Sequence, residues 1–254
     1  MKQTQAQWKT VWITGASSGI GLELARLFDD RADHVAVSAR SSDKLVDLAA
    51  NATNIHGYAV DVTDAEAVSA CVSEVEDRGG NIDLAVLNAG AWALMSVDEF
   101  DLAAVRTGVE VNFMGVMNAL NALLPRMLAR GRGHIAIVAS VAGYRGLPRS
   151  LAYGPTKAAL INLAETLNTE LAPRGIMVSV VNPGFVDTPM TRDNPFPMPG
   201  LIGARQAAEY IVSGLERGKF EIAFPRFFAA QMKLLRLLPN WLYFRAIGAF
   251  ILKG

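Results

Sequence analysis

Six short runs rich in valine and isoleucine recur along the chain: Val11–Ile13, His34–Ala39, Ile55–Val60, Ile82–Leu87, His134–Ala139 and Ile176–Val181. Longer stretches lie between them, and Ile20–Phe28, Ala65–Glu76 and Ala158–Leu171 carry the periodicity of amphipathic helices. Repeated strand-helix units of this kind predict an α/β fold, a parallel sheet covered by helices on both faces. No linker, low-complexity tract or internal repeat divides the pattern, and 254 residues are enough for one large domain with a real core. With 51% apolar and only 19% charged residues, disordered and fibrous classes are excluded.

The residues that follow each run are polar or glycine: Thr14-Gly15, Arg40, Asp61, Asn88-Ala89-Gly90, Ser140 and Asn182-Pro183-Gly184. Taken singly they have ordinary uses, Asp61 or Thr63 as a helix cap and the glycine-containing pairs as turns. Together they line one rim of the sheet, the carboxyl ends of its strands, where open α/β sheets bind ligands.

Thr14-Gly15-Ala16-Ser17-Ser18-Gly19-Ile20-Gly21 sits between the first strand and a helix containing Leu22, Leu24, Ala25, Leu27 and Phe28. Glycines there allow positive φ and close backbone approach, and the helix N-terminus offers N–H groups to a pyrophosphate, so the loop reads as a dinucleotide cradle. The second strand ends in Ser38-Ala39-Arg40, with no Asp or Glu to meet a ribose 2′-hydroxyl. A guanidinium in that place suits the 2′-phosphate of NADP(H), which is expected over NAD(H).

Tyr153 and Lys157 fall one turn apart on one helix face, a spacing at which an ammonium would lower the phenol's pKa and let it exchange a proton near neutral pH. Pro155 lies between them in the first turn, where its missing N–H costs nothing. Ser140 precedes the pair at a strand end. Cys71, the single cysteine, shares an apolar helix face with Val68, Val72 and Val75 and reads as a reduced core thiol. His34, His56 and His134 have no metal-ligand spacing, so no metal site is expected.

In this order of motifs the sequence resembles the short-chain dehydrogenase/reductase superfamily, in its form of about 250 residues, over residues 9–225. The resemblance rests on Thr14–Gly21, Asp61-Val62, Asn88-Ala89-Gly90, Asn112, Ser140, Tyr153 with Lys157, and Pro183-Gly184 followed by Val186 and Thr188. It implies a doubly wound, Rossmann-like sheet of about seven strands and a homo-oligomer, dimer or tetramer. It also implies an enzyme acting on the CH–OH group of its donor. Tyr153 would be the acid/base, Lys157 its neighbour and a nicotinamide-ribose ligand, and Ser140 a donor to the substrate oxygen. Asn112 would hold a water of the proton relay. Gly15, Ser17, Ser18, Gly19, Ile20 and Gly21 would take the phosphates, Asp61 and Val62 the adenine, and Asn88, Ala89 and Gly90 the adenosine and ribose region. Pro183 and Gly184 lead into Val186 and Thr188 at the carboxamide.

Residues 183–203 contain Pro183, Pro189, Pro195, Pro197 and Pro199 and predict a substrate-covering loop, with Phe185, Met190, Phe196 and Met198 suiting a lipophilic carbonyl or alcohol. A 3-oxoacyl-thioester reductase is the alternative, with Arg126, Arg130 and Arg132 as the basic patch for an acidic carrier. A dinucleotide-sensing binding protein is another, disfavoured by the complete Asn112, Ser140, Tyr153 and Lys157 set. Twenty-four basic residues balance 24 acidic ones, which argues against a nucleic-acid partner. The start, MKQTQAQWKT, is polar, and no apolar run reaches the length of a membrane span, so a cytoplasmic location is expected. Beyond a catalytic unit over residues 1–225, residues 226–254 form an apolar, basic extension without an acid, split by Pro239 into Phe227–Leu238 and Trp241–Leu252. Peripheral membrane contact is expected of it, against a cleft cover or a subunit interface.

Overall fold

The computed structural model describes residues 7–192 and 194–251. Leu252–Gly254, including Lys253 of the extension, and the first six residues of the polar start lie outside them. The elements run β1 (Thr10–Thr14), α1 (Gly19–Asp29), β2 (His34–Ala39), α2 (Ser42–Ala50), β3 (Ile55–Ala59), α3 (Ala65–Gly79) and β4 (Leu84–Leu87). There follow α4 (Leu102–Val109), α5 (Gly115–Arg130), β5 (Gly133–Val138), α6 (Gly154–Leu171), β6 (Ile176–Pro183), β7 (Val186–Asp187), β8 (Ile202–Gly203), α7 (Ala204–Glu216), β9 (Glu221–Phe224), α8 (Arg226–Leu237) and α9 (Asn240–Ile251).

Seven strands form one parallel sheet in the order β3-β2-β1-β4-β5-β6-β9. The order reverses between β1 and β4, which opens a crevice at their carboxyl ends. Alternate residues of each inner strand serve opposite faces, as the period of two requires. Trp12, Ala36 and Ala85 pack on the side of α3, α5 and α6, whereas Val11, Ile13, Val35 and Val37 pack on the side of α1, α2 and α7. Cys71 lies buried in the first of these layers, its thiol pushed up to about 12 by burial and then by Glu74, as a core thiol should be.

The cap of α3 is Asp64, whose carboxylate accepts from the N–H groups of Glu66 and Ala67. Asp61 and Thr63, the caps considered from sequence, instead bond one another: Asp61 Oδ1 accepts from Thr63 N at 3.0 Å and from Thr63 Oγ1 at 2.9 Å. Among its described residues the proline-rich stretch contains no helix but the short parallel pair β7 and β8. Pro239 separates α8 from α9 as its ring requires. No helix among the described residues is long and apolar enough to cross a membrane.

Candidate active site

The glycine loop is held from below by the turn after β4. Thr14 Oγ1 accepts from Asn88 N and Ala89 N at 2.9 and 3.0 Å, and Asn88 Nδ2 donates to Thr14 O and Gly15 O at 3.0 and 3.1 Å. Gly15, at φ +69°, has no room for a side chain, since a Cβ would sit 2.7 Å from Ala89 Cα. On Gly21 it would sit 2.4 Å from Gly15 O. Ser18, the N-cap of α1, makes no side-chain cap bond, so the first N–H groups of that helix keep their capacity for a ligand. A bare backbone cradle opening a helix fits the pyrophosphate of a dinucleotide. Thr188 closes over it, its Cγ2 lying 3.1 Å from where a Cβ on Gly19 would be, while Val186 is buried in the β7–β8 pair.

Arg40 is exposed one residue past β2. Its charge reaches Asp61, whose carboxyl is held below its usual range mainly by the Thr63 N–H and in smaller part by Arg40. Val62 is fixed by a residue not singled out in the sequence, Asn118 of α5, whose Nδ2 donates to Val62 O at 2.9 Å.

Tyr153 caps α6, and Lys157 N donates to Tyr153 O at 3.2 Å, so the pair does lie one turn apart, with Pro155 in the first turn. Their electrostatics differ from the simple expectation of a lowered phenol. Burial pushes Tyr153 up to about 12, and a hydrogen bond with Ser140 acts against it. Burial also pulls Lys157 down to about 8. The reason is where the amine goes: Lys157 Nζ donates to Val138 O at 2.9 Å and stands 5.4 Å from the Tyr153 ring centre, so loss of water outweighs the attraction between the two. Ser140 follows β5, and its Oγ accepts from Ala142 N at 3.1 Å.

Asn112 sits in a π-helical turn, Glu110–Met114, and is fully buried. Its side chain is spent on the protein, accepting from Ala91 N at 2.6 Å and donating to Ala91 O and Thr156 Oγ1, each at 3.0 Å. Thr156 in turn donates to Tyr153 O at 2.7 Å, which ties the π-turn to the start of α6. Trp92 carries no local motif and is not among the expected site residues. Its ring meets that of Tyr153 edge to face at 4.6 Å, and its Nε1 donates to Asn194 Oδ1 at 3.2 Å in the proline-rich loop. Phe185 packs against Phe196 and Phe228 at 6.0 and 5.6 Å, an aromatic cluster that joins the proline-rich loop to α8. No cluster of three metal-ligating side chains occurs among the described residues.

A profile of the short chain dehydrogenase family matches residues 9–196. An uncharacterized oxidoreductase of Myxococcus xanthus is 34% identical over 243 residues, 94% of this chain and 96% of that one. A short chain dehydrogenase from Burkholderia cenocepacia, solved in complex with NADP, superposes with a TM-score of 0.84 at 27% identity, covering 96% of this chain and 99% of the other. An enzyme of Burkholderia phymatum solved with NAD, at 24% identity and a TM-score of 0.82 over 91% and 94% of the two chains, shares the fold.

Proposed function

The chain belongs to the short-chain dehydrogenase family of oxidoreductases, and from that premise we propose that it is an NADP(H)-dependent enzyme interconverting a lipophilic carbonyl compound and its alcohol, with Tyr153 as acid/base. The observation that carries the reading is the convergence of Ser140, Tyr153 and Lys157 beside a glycine loop too bare for side chains. Gly15 to Gly21 would hold the phosphates, Asp61 and Val62 the adenine, Asn88 to Gly90 the ribose region, and Val186 and Thr188 the carboxamide. When bound there, the nicotinamide supplies or accepts the hydride.

In the reductive direction Tyr153 gives its proton to the carbonyl oxygen, and Ser140 donates a hydrogen bond to the same oxygen as negative charge grows on it. Burial keeps the phenol protonated at neutral pH, so it is in the form that donates. Lys157 places a cation next to the phenolate that results. Asn112, through its bonds to Ala91 and Thr156, ties the π-turn to the start of α6, and in this reading it would act on a relay water through that positioning rather than through a free side-chain amide. Trp92 against Tyr153 supports a lipophilic substrate, and the Phe185, Phe196 and Phe228 cluster would serve as its apolar cover, since apolar rings give a charged substrate nothing to bond. The 3-oxoacyl-thioester alternative loses support. Two of its three arginines, Arg126 and Arg130, are paired with Glu76 at 3.0 and 2.8 Å rather than presented to a carrier. A homo-oligomer belongs to the same reading.

The test is a set of initial rates with NADPH and NADH against aldehydes, ketones, steroids and 3-oxoacyl thioesters. NADPH should be preferred with apolar ketones or aldehydes. Arg40→Asp should invert the cofactor preference, because it removes an attraction to the 2′-phosphate and adds a repulsion. A wild-type preference for NADH would overturn the cofactor assignment, and absence of turnover with every carbonyl would overturn the catalytic one.

A further inference from the structure

The helix pair α8–α9 has two unlike sides. Inward, Ala229, Met232 and Tyr243 are buried, and Phe228 packs on Phe185. Outward, large apolar side chains stand in water: Phe227 is 77% exposed, Leu237 80%, Trp241 69%, and Leu234 and Phe244 little less. Phe227, Leu234 and Leu237 recur at i, i+7 and i+10, which puts them in one stripe along α8. The same pair carries Arg226, Lys233, Arg236 and Arg245 and no acid. Lys233 pairs with Glu221, and the three arginines have no acidic partner among the described residues.

An exposed stripe of this kind needs an occupant. A second copy of this chain meeting the same face by two-fold symmetry would bring arginine against arginine with no carboxylate between them. A surface that is apolar inside and negative outside complements both features at once. Each helix has 12 residues, too short to span a bilayer and long enough to lie along one, with Trp241 and Phe244 suited to the headgroup boundary. The pair is also rigidly mounted. Arg145 donates to Leu235 O, Arg236 O and Leu238 O at 2.9, 3.1 and 2.6 Å and to Asn240 Oδ1 at 2.7 Å, and it lies 3.9 Å over the Tyr243 ring. Tyr243 Oη donates to Gly146 O at 2.5 Å. The mount is therefore the loop that continues from Ser140.

We propose that α8–α9 docks the protein on an anionic lipid surface, lying in the interface with the stripe inserted and the arginines against the headgroups. The docking does not depend on the redox reading, although it would bring the site to where lipophilic carbonyl compounds dissolve. Full-length protein is sedimented with phosphatidylcholine vesicles and with vesicles in which about one-third of the lipid is phosphatidylglycerol, since the charged lipid is what the arginines would meet. Binding is expected to the anionic vesicles and to fall with added salt. Arg226→Gln/Arg236→Gln/Arg245→Gln should weaken it on the order of 100-fold, at about fivefold per cation. Phe227→Ser/Leu237→Ser/Trp241→Ser should weaken it by about tenfold or more through lost insertion. All six positions are exposed, so both variants should fold, which their thermal unfolding would verify. Absence of wild-type binding to anionic vesicles overturns the proposal, as does equal binding by both variants. A lower oligomeric mass of the serine variant without any vesicle binding would assign the stripe to a subunit contact.

Discussion

Tyr153 and Lys157 show how burial and charge compete at a single pair. Both are pushed toward their neutral forms because each loses more water than the other restores, the amine being turned to Val138 O. Their variants should separate the two roles. Tyr153→Phe keeps the ring against Trp92 and removes only the transferable proton, so turnover should fall about 100- to 10,000-fold while NADPH affinity stays within a few-fold. Lys157→Ala should lower both, measured by steady-state rates beside fluorescence titration of NADPH. A different residue sets an acid limit on stability. Ser179 Oγ donates to Lys219 O at 2.7 Å, so its contact with His134 Nε2 at 2.8 Å makes Nε2 the protonated nitrogen, and Nδ1 is buried without a partner. Burial lowers His134 to about 4. The folded state thus refuses a proton that the unfolded chain takes near pH 6.5. The stability concerned is complete above that pH and is lost as pH falls toward 4, by about 3 kcal/mol in all. His34, also about 4 through burial and then His56 and Arg78, adds to the same slope. Urea midpoints between pH 6.5 and 5 should fall less steeply for His134→Gln than for wild type. Parallel slopes would remove His134 from the account.

At the scale of elements, the site is a set of element ends tied to one another. The turn after β4 carries the loop after β1 through Thr14 and Asn88, and the π-turn before α5 carries the start of α6 through Asn112 and Thr156. Gly21→Ala tests the first tie. Its new Cβ would lie 2.4 Å from Gly15 O and 2.7 Å from Asn88 Nδ2, so a braced backbone must shift. Stability should fall by about 1–3 kcal/mol, and NADPH affinity by more than tenfold, because the cradle itself is displaced. Unchanged affinity in fluorescence titration would mean that the loop does not hold the phosphates. These ties were only half legible beforehand. Thr14, Gly15, Gly21 and Asn88 announce themselves by position after strands. Trp92, Asn118, Thr156 and Asn194 do not, since each acts through a partner distant in the chain and has no local signature.

The whole molecule joins its parts through Arg145, which binds the end of α8, the start of α9 and the face of Tyr243. Arg145→Ala should cost roughly 3 kcal/mol, given several charged hydrogen bonds lost together, and should expose α8–α9 to proteolysis ahead of the rest. Uniform resistance in limited proteolysis would show that the pair is held by its apolar side alone. The sequence by itself determined the alternation of strands and helices, the rim of polar residues, the glycine loop and the Tyr153–Lys157 spacing, because each follows from local periodicity or from residues a few positions apart. Only the tertiary structure decided the strand order β3-β2-β1-β4-β5-β6-β9, the direction of the Lys157 amine, the pairing of Arg126 and Arg130 with Glu76, and which side of α8–α9 faces water. Those depend on packing between segments far apart in the chain, where burial removes water from one group and supplies a partner to another, and no local pattern encodes that choice.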